Sequence, residues 1–244
     1  MERRHLAECG STNTEALQHL RDGGGPLLVS ASRQTAGRGR LGRAWLTDQA
    51  GDDAALTFTI AVTLPTELDL SGLSLAVGCT VADVLDASGE RIRLKWPNDL
   101  FLDGAKLGGI LIETVPLPEQ QRGVVIGVGL NLQPLPPGAD RGAYASGHAA
   151  LQALHPAATA ANTLDRLAPA LHAMLADFRT LGFAPWQTAF ARRDLACGQR
   201  VRVGEQPGIA RGVSPRGELQ LETAAGILPV SGGELSLRLE KVTP

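Results

Sequence analysis

Two apolar runs joined by a turn constrain the fold of this chain more than any other feature. Asp103 and Gly104 lie between the runs, and Asp-Gly flanked by alternating apolar residues is the strongest short-range signal for a β-hairpin. Upstream, Ile92 and Leu94 alternate with basic residues, as in a strand with one buried face. Pro97 ends that strand because proline cannot donate to a sheet. Hairpin-joined strands favour a mixed α/β domain over a doubly wound parallel sheet.

The segment "GVVIGVGLNL" predicts a further strand, in which Gly127 and Gly129 are spaced two residues apart. Side chains along a strand alternate between its two faces, so both glycines lie on the same face. Two neighbouring positions without a side chain indicate that another group packs closely there.

Three segments have helical periodicity. The first follows Thr12, the predicted N-cap, with Glu15 completing a capping box. The second lies in "LSGLSLAVGCTVADVLDASG" and ends at Gly89. The third is "AANTLDRLAPALHAMLADFRTLG", where Pro169 predicts a kink or a break.

Short strands alternate with glycine turns from about Arg193 onward, which predicts a small separate β-barrel. We therefore expect a mixed α/β domain over residues 1–192 and a barrel over residues 193–244. The segment from Gln133 to Pro156 is rich in Pro, Gly and Ala and is interpreted as a loop.

Composition narrows the functional classes. A net charge of −2 and a pI near 6.2 give no basic excess for nucleic acid, so any cationic site must be local. Cys9, Cys79 and Cys197 are odd in number and scattered, which argues against a disulfide framework or a zinc cluster. No signal peptide or membrane-spanning run is present in the sequence, so we expect a cytoplasmic protein.

The stretch "QTAGRGRLGRAW" combines three glycines with three arginines after a predicted strand. It is not a dinucleotide fingerprint, because no helix follows it, and not a P-loop, because Arg43 and Ala44 replace the required Lys and Ser/Thr. Arg38, Arg40 and Arg43 remain as guanidinium groups on a flexible loop, suited to carboxylates and phosphates. The alternative is a solvated basic loop.

Four motifs together resemble the biotin protein ligases: "ECGSTNTEAL", "QTAGRGRLGRAW", "KWPNDLFLDGAKLGGILIE" and "VVIGVGLNL". The resemblance runs through most of the chain. It implies a class II synthetase-like catalytic domain, with a mixed sheet and helices on one side, followed by an SH3-like barrel. It further implies ATP-dependent formation of biotinyl-5′-AMP with Mg²⁺, then transfer of biotin to a lysine of a biotin carboxyl carrier protein.

The resemblance also implies roles for individual residues. Arg40 would hold the adenylate. Lys106 would reach the biotin carboxylate and the α-phosphate. The alternative for Lys106 is an exposed hairpin lysine without a role in binding. For Thr12, the resemblance implies a contact with biotin, but capping of the first helix explains this residue equally well. The residues expected to contact biotin or the adenylate are Ser11, Thr12, Asn13, Gln34, Gly37, Arg38, Gly39, Arg40, Lys95, Asn98, Lys106, Gly108 and Asn131.

Asp99, in "KWPND", has three alternative roles: orienting the acceptor lysine, assisting its deprotonation, or helping to hold magnesium. Asn98 and Asp99 are also ordinary turn formers after Pro97. The magnesium ligands are otherwise not assigned.

The chain departs from the family pattern in two places. Three acids, Asp48, Asp52 and Asp53, follow the arginine loop, where they add negative charge near the anion site. Where many relatives have an adenine-stacking tryptophan, "WQTAFARRD" offers Phe190, with Trp186 as the alternative.

Three other functions compete with biotin ligation: a lipoate–protein ligase, a biotin sensor or repressor without turnover, and a generic nucleotide-binding module. The segment before Ser11 is too short for a helix-turn-helix, so we expect no binding to DNA. We expect no membrane partner either, and a homodimer is compatible with the sequence.

Overall fold

The computed structural model describes residues 1–45, 54–135, 147–231 and, for the backbone, 237–239. The chain forms two compact units, residues 1–68 with 101–168 and residues 69–100 with 169–244. In chain order the helices and strands are β1 (Glu2–Cys9), α1 (Thr12–Arg21), β2 (Leu27–Gln34), β3 (Ala55–Pro65), α2 (Leu73–Leu85), β4 (Ile92–Lys95), β5 (Asp99–Leu102), β6 (Ala105–Leu117), β7 (Gln121–Asn131), α3 (Ala160–Leu181), α4 (Gln187–Arg193), β8 (Arg200–Val203), β9 (Gln206–Val213), β10 (Leu219–Thr223), β11 (Gly226–Val230) and β12 (Leu237–Leu239).

The first unit contains a mixed sheet in the order β1-β2-β3-β7-β6-β5. Strand β1 runs parallel to β2, whereas the β2–β3, β3–β7 and β6–β7 pairs are antiparallel. The β3–β7 ladder runs from Ala55 opposite Asn131 to Pro65 opposite Gln121. The predicted mixed α/β architecture is confirmed.

The predicted hairpin is present between β5 and β6. Asp103 and Gly104 have φ values of 50° and 83°, the left-handed conformation that both central residues of a type I′ turn require. The next hairpin, between β6 and β7, also has positive φ at its tip, but there the residues are Glu119 and Gln120, at 58° and 54°. Those two side chains favour other conformations, so the second turn could not be identified from its sequence.

Helix α1 packs on the sheet of the first unit. Its buried Ala16, Leu17 and Leu20 form a core cluster with residues of β2, β3, β6 and β7. The helix begins at Thr12 with Ser11 as the N-cap, and no side chain caps it. The predicted N-cap and capping box at Thr12 are therefore wrong, since the Thr12 hydroxyl contacts Gln34 and Thr59 instead.

Helix α3 continues through Pro169, so the predicted break is absent. Its buried residues, among them Leu167, Leu171 and Phe178, recur at helical spacing, and this apolar stripe keeps the helix intact despite one missing N–H donor. In the part of the chain that the structure describes, no helix is both long and apolar enough to span a membrane.

The second unit contains a five-stranded antiparallel sheet in the order β11-β10-β9-β8-β12. This confirms the small C-terminal β-domain. The boundary between residues 192 and 193 stays a prediction.

A buried ion pair also lies in the second unit. Arg193 and Asp86 are each 4% exposed, and their Nη1 and Oδ2 atoms are 3.3 Å apart. Burial disfavours the Asp86 carboxylate, but hydrogen bonds from Ser88 and from the backbone of Ile92 and Arg91, together with Arg193, lower its pKa to about 2. Asp86 is thus ionised and paired in the folded protein at neutral pH.

Candidate active site

Buried polar side chains form a hydrogen-bonded chain beside the N-terminus of α1. The Gln34 Oε1 atom accepts from the Thr12 backbone N–H at 2.7 Å and lies 3.1 Å from the Thr12 hydroxyl. Thr59 Oγ1 is 2.8 Å from Thr12 Oγ1 and 2.6 Å from Asn13 Oδ1. All four residues are at most 6% exposed, and Ser11 beside them is 4% exposed. The structure therefore brings together Ser11, Thr12, Asn13 and Gln34, four of the residues predicted to contact biotin or the adenylate.

The two glycines of β7 leave room for neighbouring side chains, as the sequence predicted. A Cβ atom at Gly127 would lie 2.4 Å from Asn13 Oδ1, and one at Gly129 would lie 2.6 Å from the Trp45 indole ring. Both distances are far below van der Waals contact. The glycines therefore allow Asn13 and Trp45 to pack directly against the strand.

The Gly/Arg loop has a defined backbone conformation. Arg38 and Ala44 form an antiparallel bridge, flanked by a 2.7 Å hydrogen bond from Gly39 N to Arg43 O. Gly37 O accepts from Trp45 N at 2.9 Å. Arg40 begins a short 3-10 turn that ends at Gly42, whose φ of 70° suits glycine. The expected flexible loop is a small closed hairpin in this structure.

Arg38 extends from this hairpin to the polar chain. Its Nη1 donates to Thr14 Oγ1 at 2.9 Å, and its Nη2 lies 3.3 Å from both carboxylate oxygens of Glu113. Arg40 is half-buried and Arg43 is exposed. The loop therefore places one cation, Arg38, next to the buried polar chain.

Lys106 lies in β6, directly after the Asp103–Gly104 turn, and is half-buried. Its backbone carbonyl accepts from Asn131 Nδ2 at 3.2 Å and from Ala149 N at 2.9 Å. Nearby, Gly108 is opposite Leu130, and a Cβ atom there would lie 2.4 Å from the Gly129 carbonyl oxygen. Asn131 thus fixes the backbone beside the predicted catalytic lysine.

A pocket of about 490 Å³ lies at the β5–β6 turn, and its lining includes Ala105, the residue before Lys106. The turn residues Leu102, Asp103 and Ala105 line one part of it, and residues 134–135 and 147–150 line another. The wall is mostly apolar and includes one histidine, His148. The Nε2 atom of His148 lies 3.1 Å from the carbonyl oxygen of Gln133. A largely apolar group is the kind of ligand that such a wall favours.

Lys95, Asn98 and Asp99 lie in the second unit, so their predicted roles are not tested by the geometry above. Lys95 ends β4 and Asp99 begins β5. Between them, the Trp96–Pro97 peptide bond is cis, and the buried Trp96 indole donates to Gly217 O at 3.0 Å. Trp96 is therefore a packing residue.

The structure contradicts the proposed stacking role of Phe190. Its side chain is completely buried in the core of the second unit, so neither face of the ring is available to a ligand. Trp186 packs against Phe178, with ring centroids 6.2 Å apart. The acidic residues Asp48, Asp52 and Asp53 lie outside the described residues.

Two site residues, Thr59 and Glu113, were not predicted. Thr59 is completely buried in the apolar strand β3, and a polar residue within such a run is the signal that could have identified it. Glu113 is the only acid in β6. Across the described ranges, no three His, Cys, Asp or Glu side chains come together as a metal site.

Family models match both parts of the chain. Residues 9–131 match the biotin/lipoate A/B protein ligase family, and residues 196–238 match the biotin protein ligase C terminal domain. The first match includes every residue predicted to contact biotin or the adenylate, together with Asp99, and the second covers most of the five-stranded sheet.

Individual proteins match over nearly the full length. The chain is 33% identical to a biotin–[acetyl-CoA-carboxylase] ligase of Paracoccus denitrificans, over 94% of this chain and 98% of that protein. It is 34% identical to the bifunctional ligase/repressor BirA of Escherichia coli, over 85% of this chain but 65% of that protein. A structure of the Aquifex aeolicus biotin protein ligase in complex with biotin and ATP superposes with a TM-score of 0.77, at 26% identity, covering 98% of this chain and 99% of that one.

Proposed function

The chain belongs to the biotin protein ligase family, and on that premise we propose that it activates biotin with ATP and transfers the biotin to a lysine of a biotin carboxyl carrier protein. The near full-length similarity to a biotin–[acetyl-CoA-carboxylase] ligase carries this proposal. The buried polar chain and the adjacent cation, Arg38, agree with it.

The buried polar chain suits the ureido ring of biotin. That ring is neutral and has two N–H donors and one carbonyl acceptor in fixed positions. Gln34 and Ser11 carry both donors and acceptors, whereas Asn13, whose NH₂ group faces Leu111 and Glu113, contributes its Oδ1 acceptor; all three residues are at most 6% exposed. Because the chain is already hydrogen-bonded in the protein, little reorganisation is needed when the ring binds.

The first reaction joins two anions. A biotin carboxylate oxygen attacks the α-phosphorus of ATP, a new P–O bond forms, and the bond to the β-phosphate breaks as pyrophosphate leaves. Catalysis of such a step rests on positioning and on cations that offset the developing charge. We assign this role to Lys106 and Arg40, with Arg38 holding the biotin end.

The pocket at the β5–β6 turn is our proposed site for the nucleotide base. The pocket is lined by Ala105, which precedes Lys106 in β6, and this proximity along the chain supports the proposal. Mg²⁺ bound to ATP would supply further charge neutralisation and is usually held by phosphates, water and one or two carboxylates. Holding Mg²⁺ is the alternative to the role in proton transfer that we propose for Asp99.

The second reaction moves biotin to the acceptor. The amine of the carrier lysine attacks the acyl carbon of biotinyl-5′-AMP, an amide bond forms, and AMP leaves. Because only a deprotonated amine is nucleophilic, the acceptor lysine must lose a proton. We propose that Asp99 orients that amine and assists the proton transfer.

Further aspects of the function remain proposals. We propose that the protein acts in the cytoplasm, where ATP is available, and that it does not regulate transcription by binding DNA. The net charge of −2 supports the second point. Residues 1–192 are proposed as the catalytic domain and residues 193–244 as the SH3-like domain.

The overall reaction can be tested by the intact mass of a purified biotin carboxyl carrier domain after incubation with the protein, ATP and Mg²⁺. We expect a mass increase of one biotinyl group with biotin and none with lipoate. Modification with lipoate alone would assign the protein to lipoate ligation, and binding of biotin without modification would assign it to a sensor.

Two variants make this test specific to the site. Lys106→Ala should reduce the rate about a hundredfold or more, because a cation at the reacting phosphate is lost. Arg4→Ala, which removes an exposed cation of β1, is the matched control and should retain the wild-type rate. Near-normal turnover of Lys106→Ala would mean that the catalytic cation has been misassigned.

A further inference from the structure

A carboxylate lies directly beside the proposed anion site. Glu113 is on β6, opposite Val125 of β7, and its side chain is 31% exposed. Both ligands of the proposed reaction are anions at this site, so a negative charge there opposes their binding by simple Coulomb repulsion. Favourable contacts of Glu113 therefore have to offset its repulsion of the anionic ligands.

Glu113 holds the arginine of the loop. Both of its oxygens lie 3.3 Å from Arg38 Nη2, while Arg38 Nη1 donates to Thr14 Oγ1 at 2.9 Å. The two partners fix the plane of the guanidinium group and leave some of its five N–H donors for a ligand. The ion pair itself contributes little to stability, because both side chains are about one-third exposed or more.

Glu113 also fixes the amide of Asn13. Asn13 Nδ2 donates to Glu113 Oε2 at 2.8 Å and to the Leu111 carbonyl at 3.3 Å. Both partners can only accept, so the NH₂ group must face them. The opposite side of the amide, Oδ1, therefore faces the Thr59 hydroxyl, at 2.6 Å. Glu113 thereby selects one of the two amide orientations.

One carboxylate thus contacts two groups with different proposed roles: the amide beside the ureido ring and the guanidinium beside the biotin carboxylate. We propose that Glu113 is a positioning residue: it holds Asn13 where the ureido end of biotin binds and Arg38 where the carboxylate end binds. The inference rests on the proposed function, since it assigns a role in biotin binding and adenylation. Glu113 acts through these two side chains and does not contact the reacting atoms.

Two substitutions separate its two contacts. Glu113→Gln retains an acceptor for Asn13 and removes the charge that holds Arg38, so kcat for biotin-dependent pyrophosphate exchange should fall about tenfold, with KM for biotin rising no more than about threefold because Asn13 keeps its position. Glu113→Ala removes both contacts, so the same fall in kcat should be accompanied by an increase of about tenfold in KM for biotin. Glu2→Gln, which removes the acid of another Arg–Glu pair in the same unit, is the matched control.

A double-mutant cycle tests whether Glu113 acts through Arg38. In an Arg38→Ala background, adding Glu113→Gln should cause no further loss of kcat, because the group being positioned is absent. A full additional loss in that background would overturn the proposal, as would wild-type kinetics of Glu113→Gln. Far-ultraviolet circular dichroism and thermal unfolding identify a folding defect; if Glu113→Ala does not fold, Glu113→Gln and the cycle decide.

The same assay separates this inference from the proposed function. A wild-type protein that shows no biotin-dependent exchange would overturn both. An active wild type with an unaffected Glu113→Gln variant would overturn only the role of Glu113.

Discussion

Substitution of Gly127 by alanine should impair biotin binding while leaving the fold intact. A Cβ atom at this position would lie 2.4 Å from Asn13 Oδ1 and 3.0 Å from Asn13 Cγ. Ordinary contact begins near 3.4 Å, so the amide must move by about 1 Å. Hydrogen bonds from Asn13 to Leu111 and Glu113 resist that movement, and the 2.6 Å contact with Thr59 is lost.

The size of the effect follows from this displacement. Loss of one buried hydrogen bond costs about 1 kcal/mol of unfolding free energy, which a folded domain tolerates. A misplacement of about 1 Å in a binding group can cost up to about a hundredfold in reaction efficiency. We therefore expect KM for biotin in pyrophosphate exchange to rise at least about tenfold, with KM for ATP unchanged.

Gly123→Ala on the same strand is the matched control. Its Cβ atom would meet Val115 and Leu20 at 2.8 and 2.9 Å, so it should lower the free energy of unfolding by about 1–3 kcal/mol without changing KM for biotin. If Gly127→Ala binds biotin as the wild type does, Asn13 is not a ligand of the ureido ring and the assignment of the polar chain is refuted.

Three further predictions concern stability and reactivity. The pKa of Asp86, about 2, is below its ordinary value of 3.8, so its contribution to stability is complete above about pH 4 and lost as pH falls toward 2. Asp86→Asn should lower the free energy of unfolding by about 3 kcal/mol at pH 7. In urea unfolding, the loss of stability of this variant between about pH 4 and pH 2 should be smaller than that of the wild type. Gln120→Gly should raise stability by about 1 kcal/mol in thermal melts, because it removes a non-glycine residue at φ 54°. Iodoacetamide should label exposed Cys197 first, as shown by peptide mass spectrometry, because burial raises the pKa of Cys9 to about 11 and of Cys79 to about 12. Equal labelling of all three thiols, unchanged acid unfolding or a less stable Gln120→Gly would contradict the respective prediction.

Features set by local conformation could be predicted from the sequence. The Asp103–Gly104 hairpin is one, because the turn requires positive φ at two adjacent residues that tolerate it. The close packing at Gly127 and Gly129 is another, because strand alternation alone places both on one face. The sequence could not identify Asn13 and Trp45 as the groups that pack there, since they come from other parts of the chain.

Features set by tertiary packing were missed or wrongly predicted. Phe190 looked available for stacking, yet its burial depends on elements far away in the sequence. Glu113 lies within the strand β6, and its sequence context resembles that of any solvent-facing acid. Only the fold shows that it contacts both Arg38 and Asn13. The motifs identify residues expected to contact the ligands, such as Arg38 and Asn13. Residues that orient those side chains, such as Glu113, are identified only by the contacts in the folded structure.

The most direct test of the account is exchange of labelled pyrophosphate into ATP by the purified protein with Mg²⁺ and either biotin or lipoate. Formation of biotinyl-5′-AMP is reversible, so an enzyme that activates biotin must catalyse this exchange without any acceptor protein. We predict exchange that requires biotin and does not occur with lipoate. Exchange with lipoate only, or no exchange with either acid, would contradict the assignment of this protein as a biotin-activating ligase.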